Sequence, residues 1–251
     1  MHQDKGAIPE HIRAQLVALG IPAAKHTPPL LAGLFPREFN IEAAGLETED
    51  LARVLVRFAT TGLVAVPARG LATAIKKVTP GWHCCQFYRR FEELLDMVGP
   101  YMAEGLQNGE GCLWVLPDAV TSTDACSAIA KFVGNVDRYL ASGQLEILFY
   151  RGWYLGASGR IKSFEEIRDA LVVKQNQALA RGFKSLRAAG DTGWVSGTEQ
   201  SKDFIEYEMK VNAAIGATKI AAVCTYRAAV TADEFVAIVS AHQDALEQVS
   251  S

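Results

Sequence analysis

The sequence is short of cysteine, of long apolar runs and of basic charge. Five cysteines in 251 residues, at positions 84, 85, 112, 126 and 224, are too few and too irregularly spaced for a disulfide framework. No uncharged apolar run approaches the roughly 20 residues that cross a bilayer. The opening Met1-His2-Gln3-Asp4-Lys5 lacks the basic-then-apolar order of a secretory signal. A net charge of −3 excludes a broadly basic nucleic-acid coat or a polybasic membrane binder. These absences together predict a cytoplasmic protein with no membrane partner.

What is present is globular. Hydrophobic residues make up 49% and charged residues 21%, which excludes extended disorder. The chain divides near Lys77-Val78-Thr79-Pro80-Gly81, giving a helical N-terminal segment, 1–78, and a larger domain, 79–251. In the first part, Ile12, Leu16 and Leu19 share a helix face that stops at Gly20 and Pro22. Glu47-Thr48-Glu49-Asp50 precedes Leu51, Val54, Leu55 and Phe58, an acidic start with an apolar stripe behind it, and a short helix is expected at 71–77. Residues 1–78 carry nine basic and seven acidic side chains and the remainder sixteen and twenty-one, so the larger part is the acidic one.

From His83 the pattern changes. Short apolar runs at 83–88, 112–116, 145–150 and 220–225, with a less apolar one at 184–189, alternate with helical stretches near 90–107, 122–133, 163–182, 200–215 and 231–248. In the last stretch Phe235, Ile238, Val239 and His242 fall at i, i+3, i+4 and i+7. Continuous apolar strands alternating with helices of this length predict an α/β domain, a mostly parallel doubly wound sheet covered on both faces.

In such sheets ligands sit beyond the carboxyl ends of the strands. The ends at Tyr88, at Gly190-Asp191-Thr192-Gly193-Trp194 and at Thr225-Tyr226 put Tyr88, Asp191, Trp194 and Tyr226 in one expected crevice, suited to a small, weakly polar ligand. The alternative is that Trp194 and Tyr226 only cap the core. A phosphate loop needs G-x-x-x-x-G-K-[ST]. Strand one is followed instead by Arg89-Arg90-Phe91-Glu92-Glu93, and Gly156-Ala157-Ser158-Gly159-Arg160 reads as a turn before a helix. ATP hydrolysis by that route is therefore not expected.

His83-Cys84-Cys85 raises metal or haem binding and a thiol switch as alternatives. Successive strand residues face opposite ways, however, so Cys84 and Cys85 cannot both reach one ion without a bulge. His83, Cys112 and Cys224 converge only if their strands are neighbours. No C-x₂₋₄-C pair, no G-x-S-x-G elbow and no acid–base constellation is found, and neither a cofactor nor an enzyme is expected. His242, alone on an apolar face, reads as a structural hydrogen-bonder. On the helix around 204–212, Glu208 and Asn212 are i, i+4 neighbours beside the apolar face Phe204, Tyr207, Val211 and Ile215. They would orient a ligand's polar end or stand as a solvated pair near Lys210.

Taken together, several stretches resemble the MEDS sensory domain, named for methanogens, methylotrophs and a dichloromethane-responsive regulator. They are His83-Cys84-Cys85-Gln86-Phe87-Tyr88, Glu92-Glu93-Leu94-Leu95, Gly105 to Val115, Gly143-Gln144-Leu145, Leu186 to Trp194, Tyr207-Glu208 with Asn212, Cys224-Thr225-Tyr226, and His242. They run in order from about 82 to 245. The resemblance implies a RecA- or KaiC-like core without the phosphate loop and places Asp191 where such ATPases keep a strand-end acid. It also implies a sensor of small organic molecules. By position it makes His83, Tyr88, Asp191, Trp194, Glu208, Asn212, Tyr226 and His242 candidates for the ligand crevice. The family's His-Pro is His242-Gln243 here.

The leading expectation is a cytoplasmic regulator that binds a small organic effector and signals through its N-terminal helices to a second copy or a signalling partner. DNA is the weaker output, because Val64-Ala65-Val66-Pro67 interrupts any helix-turn-helix. The alternatives are a metal-, haem- or thiol-based sensor using His83, Cys84 and Cys85, and a degenerate nucleotide-binding enzyme.

Overall fold

The computed structural model describes residues 65–67, 78–195, 198, 200–227, 234, 237–239 and 241–249. The helices expected at 12–19, 51–58 and 71–77 lie outside the described residues. Among the described residues, seven strands form one sheet: β1 (Ala65–Pro67), β2 (His83–Tyr88), β3 (Gly111–Leu116), β4 (Leu145–Phe149), β5 (Leu186–Asp191), β6 (Ile220–Arg227) and β7 (Asp244–Val249). Their order is β1-β7-β2-β6-β5-β3-β4, and every pairing is parallel. The helices are α1 (Phe91–Gln107), α2 (Ser122–Val133), α3 (Asp137–Ala141), α4 (Tyr150–Tyr154), α5 (Phe164–Ala180) and α6 (Ser201–Ile215). This is the doubly wound α/β architecture that the alternation of apolar runs and helices predicts.

The local chemistry explains the elements. β2, β3 and β5 bury every residue, as strands covered on both faces must, whereas the edge strand β4 buries only Leu145. Capping boxes start α2, with Thr121 and Asp124, and α5, with Ser163 and Glu166. Ahead of α5, Leu155 bridges Ile161 and Gly159 takes φ +76°, so the glycine-containing segment is a tight turn, as its composition implies. α3 and α4 are single turns with no clear periodic signal.

Two cores flank the sheet. One, with α5 and α6, holds Cys85, Phe87, Leu113, Val115, Phe204 and Tyr226. The other, with α1 and α2, holds Cys84, Tyr88, Leu94, Trp114, Ile129 and Val223. Close approach of α1 to α2 depends on Gly99, where a Cβ would lie 3.0 Å from Ala128 Cβ. On the α1 side the guanidinium of Arg187, 1% exposed, pairs with Glu110 through Nε–Oε2 at 2.6 Å and Nη2–Oε1 at 3.1 Å.

The stretch 231–248 is not one helix. Glu234 and residues 237–239 are helical, but 244–249 form β7, and His242 lies in the connection between them. Ala245, Leu246, Glu247 and Gln248 have good helix propensity, yet the outer edge of β2 is buried and needs partners for its backbone groups. β7 supplies them, pairing Cys84 with Asp244 through Phe87 with Glu247, after Gln243 N–H donates to the His83 carbonyl at 3.0 Å. The fifth strand is also displaced: it begins at Leu186 rather than 184 and extends through Asp191.

Candidate functional site

The eight candidate residues fall into two groups rather than one crevice. The first lies at the carboxyl ends of β2, β5 and β6. Tyr88 Oη donates to Asp191 Oδ2 at 2.7 Å, and Thr225 Oγ1 donates to the same oxygen at 3.3 Å. Trp194 Nε1 donates to the Asp191 carbonyl at 3.2 Å, and its half-buried ring stacks on Tyr150 at 5.3 Å and meets Phe204 edge-on at 5.8 Å. Arg227 sits over the rings of Tyr88 and Phe91, at 5.7 and 4.9 Å. Gly193 is required here, because a Cβ would come within 2.7 Å of Arg227 Cγ and 3.0 Å of Tyr88 Oη.

Burial pushes the Asp191 carboxyl up to about 6, against the hydrogen bonds from Tyr88 and Thr225 and the Arg227 charge, which all favour ionisation. The Tyr88 hydroxyl is raised well above its ordinary value, first by burial and then by the Asp191 charge. The group is therefore a buried acid with a raised pKa beside a cluster of aromatic rings, at the carboxyl end of the sheet.

The second group lies in the core beneath α6. Its members are His83, at the first position of β2, Glu208 and Asn212 on α6, Cys224 and Tyr226 on β6, and His242 before β7. His83 Nε2 is 3.3 Å from Glu208 Oε2 and 3.5 Å from Cys224 Sγ. Cys224 Sγ is 3.6 Å, and His242 Nε2 3.7 Å, from the same Glu208 oxygen. Tyr226 Oη donates to the other oxygen, Oε1, at 3.0 Å. Each histidine turns its second nitrogen to an acceptor: His83 Nδ1 to Asn212 Oδ1 at 3.3 Å, His242 Nδ1 to the Ile238 carbonyl at 2.7 Å. The two imidazole centroids are 4.1 Å apart.

Glu208 is 0% exposed, so it is not a solvated surface acid, and Lys210 pairs instead with Glu206 at 2.8 Å. Burial works to raise the Glu208 pKa. The His83 hydrogen bond, the two histidines' charges and the Tyr226 hydroxyl outweigh it, and the carboxyl lies below its ordinary value. Burial, then the Glu208 charge, holds the Cys224 thiol well above its own.

Tyr226 is thus separated from Tyr88. The register pairs Phe87 with Tyr226 and Tyr88 with Arg227, so consecutive residues at the two strand ends face opposite cores. Cys84 and Cys85 diverge in the same way, into the α1 and α6 cores. Cys112 lies with Arg187 and Tyr101 on the α1 side and does not approach His83. His83 and Cys224 do converge, because β2 and β6 are neighbours. Arg187, a lone arginine in an apolar strand, marks a buried ion pair that the sequence pattern did not single out. An open cleft of about 300 Å³ between α5 and α6, lined by Arg160, Lys162, Gln200, Asp203 and Tyr207, contains none of the candidates.

The fold defines a doubly wound parallel α/β domain whose first long strand leads into α1 without a glycine-rich phosphate loop. Residues 82–243 match the profile of the MEDS domain, the methanogen/methylotroph, DcmR sensory domain, and the chain belongs to this family of sensory domains. No curated protein matches the chain. No helix among the described residues is long and apolar enough to cross a membrane.

Proposed function

We propose that the chain is a cytoplasmic regulator whose α/β domain binds a small organic effector at the carboxyl edge of the sheet, without catalysing a reaction, and signals through residues 1–78 to a second copy or a signalling partner. The observation that carries this reading is the buried Asp191, held by Tyr88 at 2.7 Å and roofed by the half-buried Trp194. One acid and one hydroxyl would give a polar anchor, and the half-buried Trp194 ring, stacked on Tyr150, the apolar contact. Membership of a sensory family supports the same reading. Transcription regulation is one output such a module serves.

The test is a titration of the purified chain with a panel of one- to four-carbon alcohols, amines, acids and halides, read by tryptophan fluorescence and thermal shift. Saturable binding to one class is expected, weakened at least tenfold by Trp194→Ala and by Asp191→Asn. Binding that both variants leave unchanged would place the effector elsewhere.

A further inference from the structure

The buried group beneath α6 has a composition that effector binding at the strand ends does not use. One ligand-capable atom from each of His83, Glu208, Cys224 and His242 lies within 4.8 Å of all the others. Tetrahedral coordination at about 2.0–2.1 Å for nitrogen or oxygen and about 2.3 Å for sulfur sets ligand atoms roughly 3.3–3.6 Å apart. The contacts of 3.3, 3.5, 3.6 and 3.7 Å are already close to those edges.

The surrounding bonds orient the same atoms. A carbonyl or amide oxygen can only accept, so Asn212 Oδ1 and the Ile238 carbonyl fix the proton on Nδ1 of both histidines. In the neutral imidazoles this leaves the two Nε2 lone pairs facing Glu208 and Cys224. Tyr226 occupies Glu208 Oε1 and leaves Oε2 directed at the centre.

We infer that His83 Nε2, Glu208 Oε2, Cys224 Sγ and His242 Nε2 bind one divalent transition-metal ion of the zinc class. Two neutral imidazoles, one thiolate and one carboxylate balance the two positive charges, so the buried unit is neutral. Imidazole and thiolate select a borderline cation over the oxygen-seeking Mg²⁺ and Ca²⁺. Binding displaces to solvent the Cys224 thiol proton and any proton carried on either Nε2. Four protein ligands fill the tetrahedron, so the site is closed rather than catalytic. A centre this small admits an ion and not a haem. The ion clamps β2, β6, α6 and the segment entering β7, with Cys224 in place of the adjacent Cys84 and Cys85.

The experiment uses the full chain prepared without a polyhistidine tag. Elemental analysis after dialysis against zinc is expected to give one ion per chain. Replacement by Co²⁺ alone is expected to give intense tetrahedral d–d bands and a thiolate-to-cobalt charge-transfer band. Cys224→Ser loses the charge-transfer band, Cys85→Ser retains it, and Asn212→Ala weakens affinity about 10–100-fold. Asp191→Asn retains the full metal content, which separates this site from the strand-end group. X-ray absorption of the zinc-loaded wild type, which does not depend on any variant folding, is expected to show one sulfur and three nitrogen or oxygen ligands. Cooperatively folded wild type that retains no zinc overturns the inference, as does a zinc shell without sulfur or a charge-transfer band that survives Cys224→Ser.

Discussion

The Tyr88 hydroxyl donates to Asp191 Oδ2 at 2.7 Å although their strands are not neighbours. β6 runs between β2 and β5, and its Thr225 adds a hydroxyl at 3.3 Å to the same oxygen. The bond therefore spans the end of the central strand and ties three strand termini together.

Asp191 makes stability depend on pH. Its folded pKa, about 6, lies above the ordinary 3.8, so between those values the folded state holds more protons than the unfolded state. Stability from this group is present below pH 3.8 and is lost as pH rises to about 6, by up to about 3 kcal/mol. Urea denaturation of wild type and Asp191→Asn across this range is expected to show the loss in wild type alone. Parallel curves for the two proteins would remove Asp191 as its source.

Glu110→Ala leaves the Arg187 charge buried without its carboxylate. A loss of about 3–5 kcal/mol in chemical denaturation is expected. Arg187→Met in the same chain removes the stranded charge, and the double variant is expected to recover most of the loss.

Two helical glycines are expected to respond oppositely to alanine. At Gly105 in α1 a Cβ would lie 2.7 Å from Arg187 Cδ and 2.8 Å from Cys112 Sγ, so Gly105→Ala costs about 1–3 kcal/mol despite better helix propensity. At Gly152 in α4 nothing lies within 4 Å, and Gly152→Ala stabilises by about 0.5–1 kcal/mol. Thermal melts of the two variants beside wild type read both signs.

Ser163→Ala removes the hydroxyl that accepts from Glu166 N–H and donates to the Glu166 carboxylate. A cost of about 1 kcal/mol is expected from the melting curve. Amide exchange should quicken first in the opening turn of α5.

The sequence made the buried strands legible because their apolar runs are continuous, and it made α5 legible because Ser163 and Glu166 form its start. β7 was not legible: Ala245, Leu246, Glu247 and Gln248 favour a helix, and only the unpaired edge of β2 makes them a strand. For the site, residue type and family resemblance marked His83, Glu208, Asn212 and His242 one at a time. Adding Cys224 requires knowing that β2 and β6 are adjacent, which no local pattern records. In the sequence Tyr226 and Tyr88 are both strand-end aromatics. Their separation follows from strand parity only once Phe87 is known to pair with Tyr226.

β7 lies between β1 and β2, so a strand late in the chain separates two that precede it. During synthesis β1 emerges long before the strand that gives it a place in the sheet. Residues 65–67 pair only with β7 among the described residues. The pairing that holds β1 in the sheet is therefore completed last, and a chain cut before residue 244 would remove β1's partner while leaving the five strands from β2 to β6 their mutual pairings.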